Sequence, residues 1–165
     1  MQIFVLDEDP LSAATYLCDQ HVPKLFLESV QLLSNVARQF GNDMVYKPAY
    51  LHHPCAKWLF ESSNNVAWLI LHATQIHNEY VKRFDKIHKS STVFGEIIKM
   101  NFCGDPQQHT PFVRAINKDK YSVCHIENTV EAYKEYYRQK NEQWKITFKP
   151  MSWERGVPRP EWMSK

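Results

Sequence analysis

Residues 18–41 read CDQHVPKLFLESVQLLSNVARQFG, and the period of their apolar side chains decides the fold. Leu25, Leu32, Leu33, Val36 and Phe40 recur at helical spacing, which predicts one long helix with a side in the core. Gly41 is a suitable stop, because glycine accepts the left-handed geometry that helix ends often take. A second, polar stripe runs along the same helix. His21, Lys24, Glu28 and Gln31 are separated by three, four and three residues, so they share one side. Such a stripe is either a face that meets water or the floor of a site.

Outward from this helix, the pattern continues to be helical. A second long helix is predicted from about Asn65 to Ile87, with Val66, Leu69, Ile70, Ala73, Ile76, Tyr80 and Phe84 as its buried stripe. Between the two lie a loop, Asn42 to Pro54, and a short helix, Cys55 to Glu61. On the N-terminal side, Ile3 to Leu6 is a strand or a buried arm. Ser12 caps a helix over Ala13 to Gln20, and Pro23 kinks or separates it from the central one. Beyond the second long helix, Val93 to Met100 reads as a short helix and Asn101 to Asp119 as irregular. Asn128 or Thr129 caps a final helix through about Trp144. The tail from Pro150 carries Trp153 and Trp162 and is expected to pack as an extended arm. The expected architecture is all-α: a domain over 1–149, with helix 24–40 packed on helix 65–87, followed by an arm over 150–165.

Composition narrows the function classes. The chain is 44% hydrophobic and 13% aromatic, which excludes disorder. Four glycines against nine prolines, with long periodic stretches, favour helices. No apolar run is long enough to span a bilayer, and the start MQIFVLDEDP turns acidic too soon for a signal peptide. The expected location is therefore the cytoplasm, of a bacterial or phage-infected cell. Cys18, Cys55, Cys103 and Cys124 form no CxxC, and a reducing compartment disfavours disulfides. His52, His53 and His125 lie beside cysteines, but the spacings match no common zinc module, so no metal is expected. A glycine-rich phosphate loop, a GxSxG elbow and an HExxH are all missing from the sequence.

The charge is nearly balanced, +2 overall, so any role on nucleic acid must rest on local patches. Residues 1–31 hold one basic and five acidic side chains, whereas residues 132–165 hold eight basic and four acidic. The densest basic cluster is Lys82, Arg83, Lys86, His88 and Lys89, at the end of the second long helix. It reads either as cations favoured by the helix C-terminus or as phosphate ligands.

Three groups of residues together resemble the small bacteriophage pyrimidine-dimer DNA glycosylase/lyases of the endonuclease V type. Asp19-Gln20-His21 is followed seven residues later by Glu28, the interval between that family's DQH triplet and its glutamate. His53 follows a loop rich in proline and tyrosine, and Trp68-Leu69 and Glu79-Tyr80-Val81-Lys82-Arg83 are similar to the family's next helix. Tyr133-Lys134-Glu135-Tyr136-Tyr137 is similar to its aromatic, lysine-bearing C-terminal segment.

The resemblance implies a mechanism. An N-terminal α-amine attacks C1′ of a damaged nucleotide, expels the base and leaves a Schiff base. A peptide α-amine is less basic than a lysine amine, so part of it is neutral at physiological pH. The glutamate manages protons and stabilises the cationic sugar. Carried onto this sequence, the catalytic residues are Met1, Glu28 and His21. Gln2 is bulky enough to block removal of Met1, and Lys24, one turn before Glu28, is an alternative amine. The DNA-binding residues are Lys24, Gln31, His53, Lys82, Arg83, Lys86, Lys89, Tyr136 and Tyr137. The implied partner is DNA or a nucleotide, taken by a monomer without cofactor or membrane. Two other readings remain open: a base- or nucleotide-modifying enzyme on the same scaffold without Schiff-base chemistry, and a non-catalytic DNA-binding protein.

Overall fold

The computed structural model describes residues 1–164, which are all-helical with no strand among them. Six helices follow in order: α1 (Pro10–Thr15), α2 (His21–Gln39), α3 (Pro54–Glu61), α4 (Ser63–Phe84), α5 (Ser91–Ile98) and α6 (Thr129–Thr147). Short 3₁₀ turns cover Pro106–Gln108 and Glu161–Ser164.

The central helix starts earlier than its apolar period suggests, at His21 rather than residue 24. Pro23 sits within its first turn, where the N–H it lacks would have no helical acceptor, so it neither kinks nor divides the helix. The helix before it is shorter and earlier than expected. Asp9, not Ser12, is the cap: its carboxylate accepts the Ser12 N–H at 2.8 Å, and Pro10 opens the first turn. Residues 16–20 are therefore a connection between α1 and α2. At its far end α2 stops at Gln39, and Gly41 follows with φ +84°. Phe40, expected in the core, lies past the last turn and is 69% exposed, edge-on to Phe102.

The second long helix is bounded by its own chemistry. Ser62 accepts the Asn64 N–H at 3.1 Å, and Asp85 ends the helix in the left-handed region at φ 51°, before Ile87. α4 packs across α1 and α2, with α3 alongside. Trp68, Leu69, Ala73 and Ile76 of α4 and Leu25, Phe26, Val30, Leu32 and Leu33 of α2 belong to one buried cluster.

Residues 3–6 form a buried arm rather than a strand. Ile3, Phe4, Val5 and Leu6 are each at most 3% exposed, worth ~1.5–3 kcal/mol apiece as burial. Phe4 is the wedge between α2 and α6. Its ring lies 4.8 Å from His21, 5.2 Å from Tyr137 and 5.7 Å from Tyr136, centre to centre. The arm's burial thus fixes the position of the chain's first residues against both helices.

The tail is held by main-chain and tryptophan contacts. Trp153 Nε1 donates to the Tyr16 carbonyl at 3.1 Å, and the Met151 N–H donates to Asn141 Oδ1 at 2.8 Å. Arg138 Nε donates to the Trp162 carbonyl at 2.7 Å. No helix among the described residues is long and apolar enough to cross a membrane.

Candidate active site

Glu28 lies two turns into α2, on the side covered by the N-terminal arm, and its side chain is 12% exposed. A carboxylate that far from water is costly unless it is partnered. Its partners are the first two nitrogens of the chain. Oε2 accepts the Gln2 N–H at 2.8 Å, and Oε1 lies 3.8 Å from the Met1 nitrogen. Lys24, one turn back and 66% exposed, comes within 3.9 Å of the same oxygen. The Met1 side chain is 1% exposed, although Met1 as a residue is only half-buried. Its accessible part is therefore the main-chain end. The methionine side chain anchors the terminus and leaves the nitrogen beside Glu28.

Three further segments close around this pair. Gln2 Nε2 donates to the Ala115 carbonyl at 2.8 Å, which ties the arm to the stretch before α6. Tyr136 reaches in from α6, with its phenol pushed up to about 12 by burial first, then by Tyr121, while hydrogen bonding with Gln2 works the other way. His53 caps α3, its Nδ1 accepting the Cys55 N–H at 3.2 Å. Burial, then the positive chain terminus, holds His53 below its ordinary value, with Glu28 opposing. Burial pushes the Cys55 thiol up to about 11. Around the amine there is thus one carboxylate, one exposed lysine and a set of neutral polar groups. Beside His53 a concavity of about 450 Å³ is lined by Pro48, Ala49, Tyr50, Leu51 and His52, with Tyr50 at φ 56°.

The other predicted site residues divide sharply. Gln31 is half-buried further along α2, and Lys82, Lys86 and Lys89 are exposed around the end of α4. That end touches the first turns of α2, because His88 packs edge-on to Phe26 at 5.1 Å. Arg83 corrects the expectation of a four-residue phosphate cluster. It is 5% exposed, donates to Glu79, Asp19 and the carbonyls of Leu17 and Thr15, and points away from solvent.

His21 corrects another expectation. It is 2% exposed, its Nδ1 lies 2.6 Å from the Tyr137 hydroxyl, and burial holds it neutral, well below its ordinary value. A neutral, covered imidazole two turns from Glu28 is a packing group, so the polar stripe begins at Lys24. Tyr136 and Tyr137, expected on DNA, are 6% and 0% exposed. The whole Asp19-Gln20-His21 triplet is a clasp. Asp19 accepts from Arg83 at 3.2 Å and from the Glu154 N–H at 2.9 Å. Gln20 donates to the Pro150 carbonyl at 2.9 Å and accepts the Ser152 N–H at 3.1 Å. Among the described residues, no three His, Cys, Asp or Glu side chains gather where they could hold a metal, and all four cysteines are free.

The family model described as pyrimidine dimer DNA glycosylase matches residues 1–92 of the 165. The chain belongs to this family. No curated protein and no solved structure matches it. The stretch shared with the pyrimidine dimer DNA glycosylases spans the arm, α1 to α4 and the first residues of α5, and so includes Met1, Glu28 and His53. Tyr136 and the rest of α6 lie outside it. Two residues of this glycosylase-family chain that act on Glu28 were passed over in the sequence reading: Gln2, inside the matched stretch and bonded to Glu28, and Lys140, beyond it on α6 and within reach of the charge of Glu28. Gln2 was visible only as a bulky second residue, and nothing in its sequence neighbourhood announces a main-chain bond to Glu28. Lys140 did leave a signal: it lies four residues after Tyr136 and four before Trp144, on one side of α6.

Proposed function

We propose that this chain excises a damaged or modified pyrimidine from DNA, with the Met1 α-amine as nucleophile and Glu28 as the assisting carboxylate. Family membership supports a DNA-glycosylase-type function. The observation that carries the finer reading is the Met1 nitrogen 3.8 Å from Glu28 Oε1, at the accessible end of an otherwise anchored residue.

The neutral amine attacks C1′. A C–N bond forms, the bond to the base breaks, and the base leaves with the bonding electrons and takes up a proton. Glu28 is placed to take the proton the amine sheds and to stabilise the positive charge that develops on the sugar. Ring opening then gives an iminium between the amine and C1′. Loss of a C2′ proton and departure of the 3′ phosphate would nick the strand, and water would release the amine. The neutral His53, Cys55 and Tyr136 add no charge that would compete with this ion.

Borohydride trapping on DNA with an abasic site tests the scheme, because reduction freezes the iminium as a covalent adduct. The wild-type chain is expected to form it. Glu28→Gln is expected to lower base excision by roughly 100-fold or more while DNA binding is retained. A few residues added before Met1 turn the amine into an amide and should abolish the adduct. An adduct in that extended chain would rule out Met1 and point to Lys24. Unchanged excision by Glu28→Gln would remove the carboxylate from the mechanism.

A further inference from the structure

Tyr136, Lys140, Trp144 and Phe148 follow one another at four-residue steps along α6 and onto its C-cap. The side chains interleave. Lys140 Nζ lies 5.6 Å from the centre of the Tyr136 ring and 5.2 Å from that of Trp144. Trp144 meets Phe148 edge-on at 5.7 Å, and Lys149 Nζ lies 5.8 Å from the Phe148 ring.

Burial falls off along this ladder. Tyr136 is 6% exposed and stacks on Phe4 of the arm, two residues past Gln2. Trp144 is half-buried against His21 at 5.0 Å, at the start of the helix that carries Lys24 and Glu28. Phe148 is 68% exposed, and Ile146 beside it 87%. The ladder therefore starts at the candidate site and ends in water. Its lower rung feels the site's charges. Burial first, then Lys24 and Lys120, pushes the Lys140 ammonium below its ordinary value.

The aromatic and aliphatic end is open to a partner. The chemistry of the occupant follows from what alternates with the rings. Between residues 132 and 164 the chain holds seven basic side chains against four acidic ones, so an apolar or cationic partner would leave the lysines unmatched. A partner with flat faces at intervals and a negative charge between them matches both, and a nucleic-acid strand has that pattern.

We propose that Lys140, Trp144 and Phe148, with Lys149, form a stacking track for an unpaired DNA strand leading away from the Glu28 site. This rests on the reading of the chain as a DNA glycosylase, but it adds a surface outside the stretch that defines the family. Bases stack on Trp144 and Phe148, and phosphates meet Lys140 and Lys149.

The test is fluorescence anisotropy with a labelled 12-nucleotide oligothymidine, on the full chain and over a range of salt. Phe148→Ala removes an exposed ring without touching the core and should weaken binding by about tenfold. The Lys140→Ala/Lys149→Ala double variant should lower the magnitude of the salt slope by about 1.4, ~0.7 for each phosphate contact on a single strand. Wild-type affinity and slope in both variants would overturn the track, as would a wild-type chain that does not bind the oligonucleotide at low salt. Failure of the amine scheme looks different. In that case the variants lose affinity as expected, while the wild-type chain leaves no borohydride adduct on abasic DNA.

Discussion

Replacing Arg83 by alanine separates a surface cation from a structural one. The side chain is fully covered and makes four hydrogen bonds: to Glu79 at 2.8 Å, Asp19 at 3.2 Å, and the carbonyls of Leu17 at 2.6 Å and Thr15 at 3.0 Å. Its loss strands two carboxylates. Asp19 and Glu79 are 6% and 4% exposed, so neither can turn to water without local rearrangement. Breaking a buried pair from one side costs about 3–5 kcal/mol, because a buried charge is left uncompensated. Two carboxylates and two carbonyls lose a donor here, which places Arg83→Ala toward the upper end. Whole domains are stable by only ~5–15 kcal/mol, so for this variant the loss is a large share of the total. At ~2–4 °C per kcal/mol for a chain of this size, its melting temperature should fall by roughly 6–20 °C. Urea and thermal unfolding followed by circular dichroism measure this, with Lys82→Ala, its exposed neighbour, expected within ~0.5 kcal/mol of wild type. If Arg83→Ala melts like wild type and instead loses about one unit of salt slope in duplex binding, the buried network is wrong and Arg83 is a phosphate ligand.

Other outcomes follow from single features. His72 is fully buried, stacks on Trp68 and has no hydrogen-bond partner at either ring nitrogen; burial pushes it from 6.5 down to about 3. Between those values the unfolded chain binds a proton that the fold does not, so stability falls as pH drops from 6.5 toward 3, by ~1.4 kcal/mol per pH unit. His72→Phe should remove one proton from that slope, and urea titrations at pH 4–7 that keep the wild-type slope would refute it. A Cβ on Gly104 would come within 2.4 Å of the Ser63 carbonyl oxygen, so Gly104→Ala should cost about 1–3 kcal/mol in the same assay; a neutral result would mean that the 101–105 segment does not rest on α4. Lys24→Ala should change stability by less than ~1 kcal/mol, because the pair with Glu28 is long and its lysine exposed, and should keep the borohydride adduct. Loss of the adduct in a stably folded variant would make Lys24 the amine.

Much of the fold was legible because helices advertise themselves by period. The apolar residues of α2 and α4 recur at helical steps, and the caps at Ser62 and Asn128 are of the types that satisfy free N–H groups. Side-chain direction within a basic or aromatic cluster was not legible. Lys82, Arg83 and Lys86 look alike in a string, yet one faces inward. The available clue was Glu79 four residues before Arg83, an i,i+4 pair that becomes structural only once Asp19 arrives from 64 residues away. The family resemblance put Tyr136 and Tyr137 on DNA, but Phe4, at the other end of the chain, packs on both. The Asp19-Gln20-His21 triplet holds its interval to Glu28 while acting as a clasp, so spacing alone does not tell which residues lie beside that carboxylate.

The contact between Glu28 and the arm has one more consequence. The carboxylate takes two successive main-chain nitrogens at once, Met1 at 3.8 Å and Gln2 at 2.8 Å. It therefore meets whichever main-chain nitrogens the arm brings to it. A chain shortened by one residue would present the Gln2 nitrogen as its free amine, already seated on the same carboxylate, while the buried Ile3 to Leu6 kept their register. A chain lengthened by one would offer only an amide there. In the scheme proposed above the nucleophile is a main-chain group, so one residue added before Met1 removes it, and one residue taken away does not, with every side chain of the fold left in place.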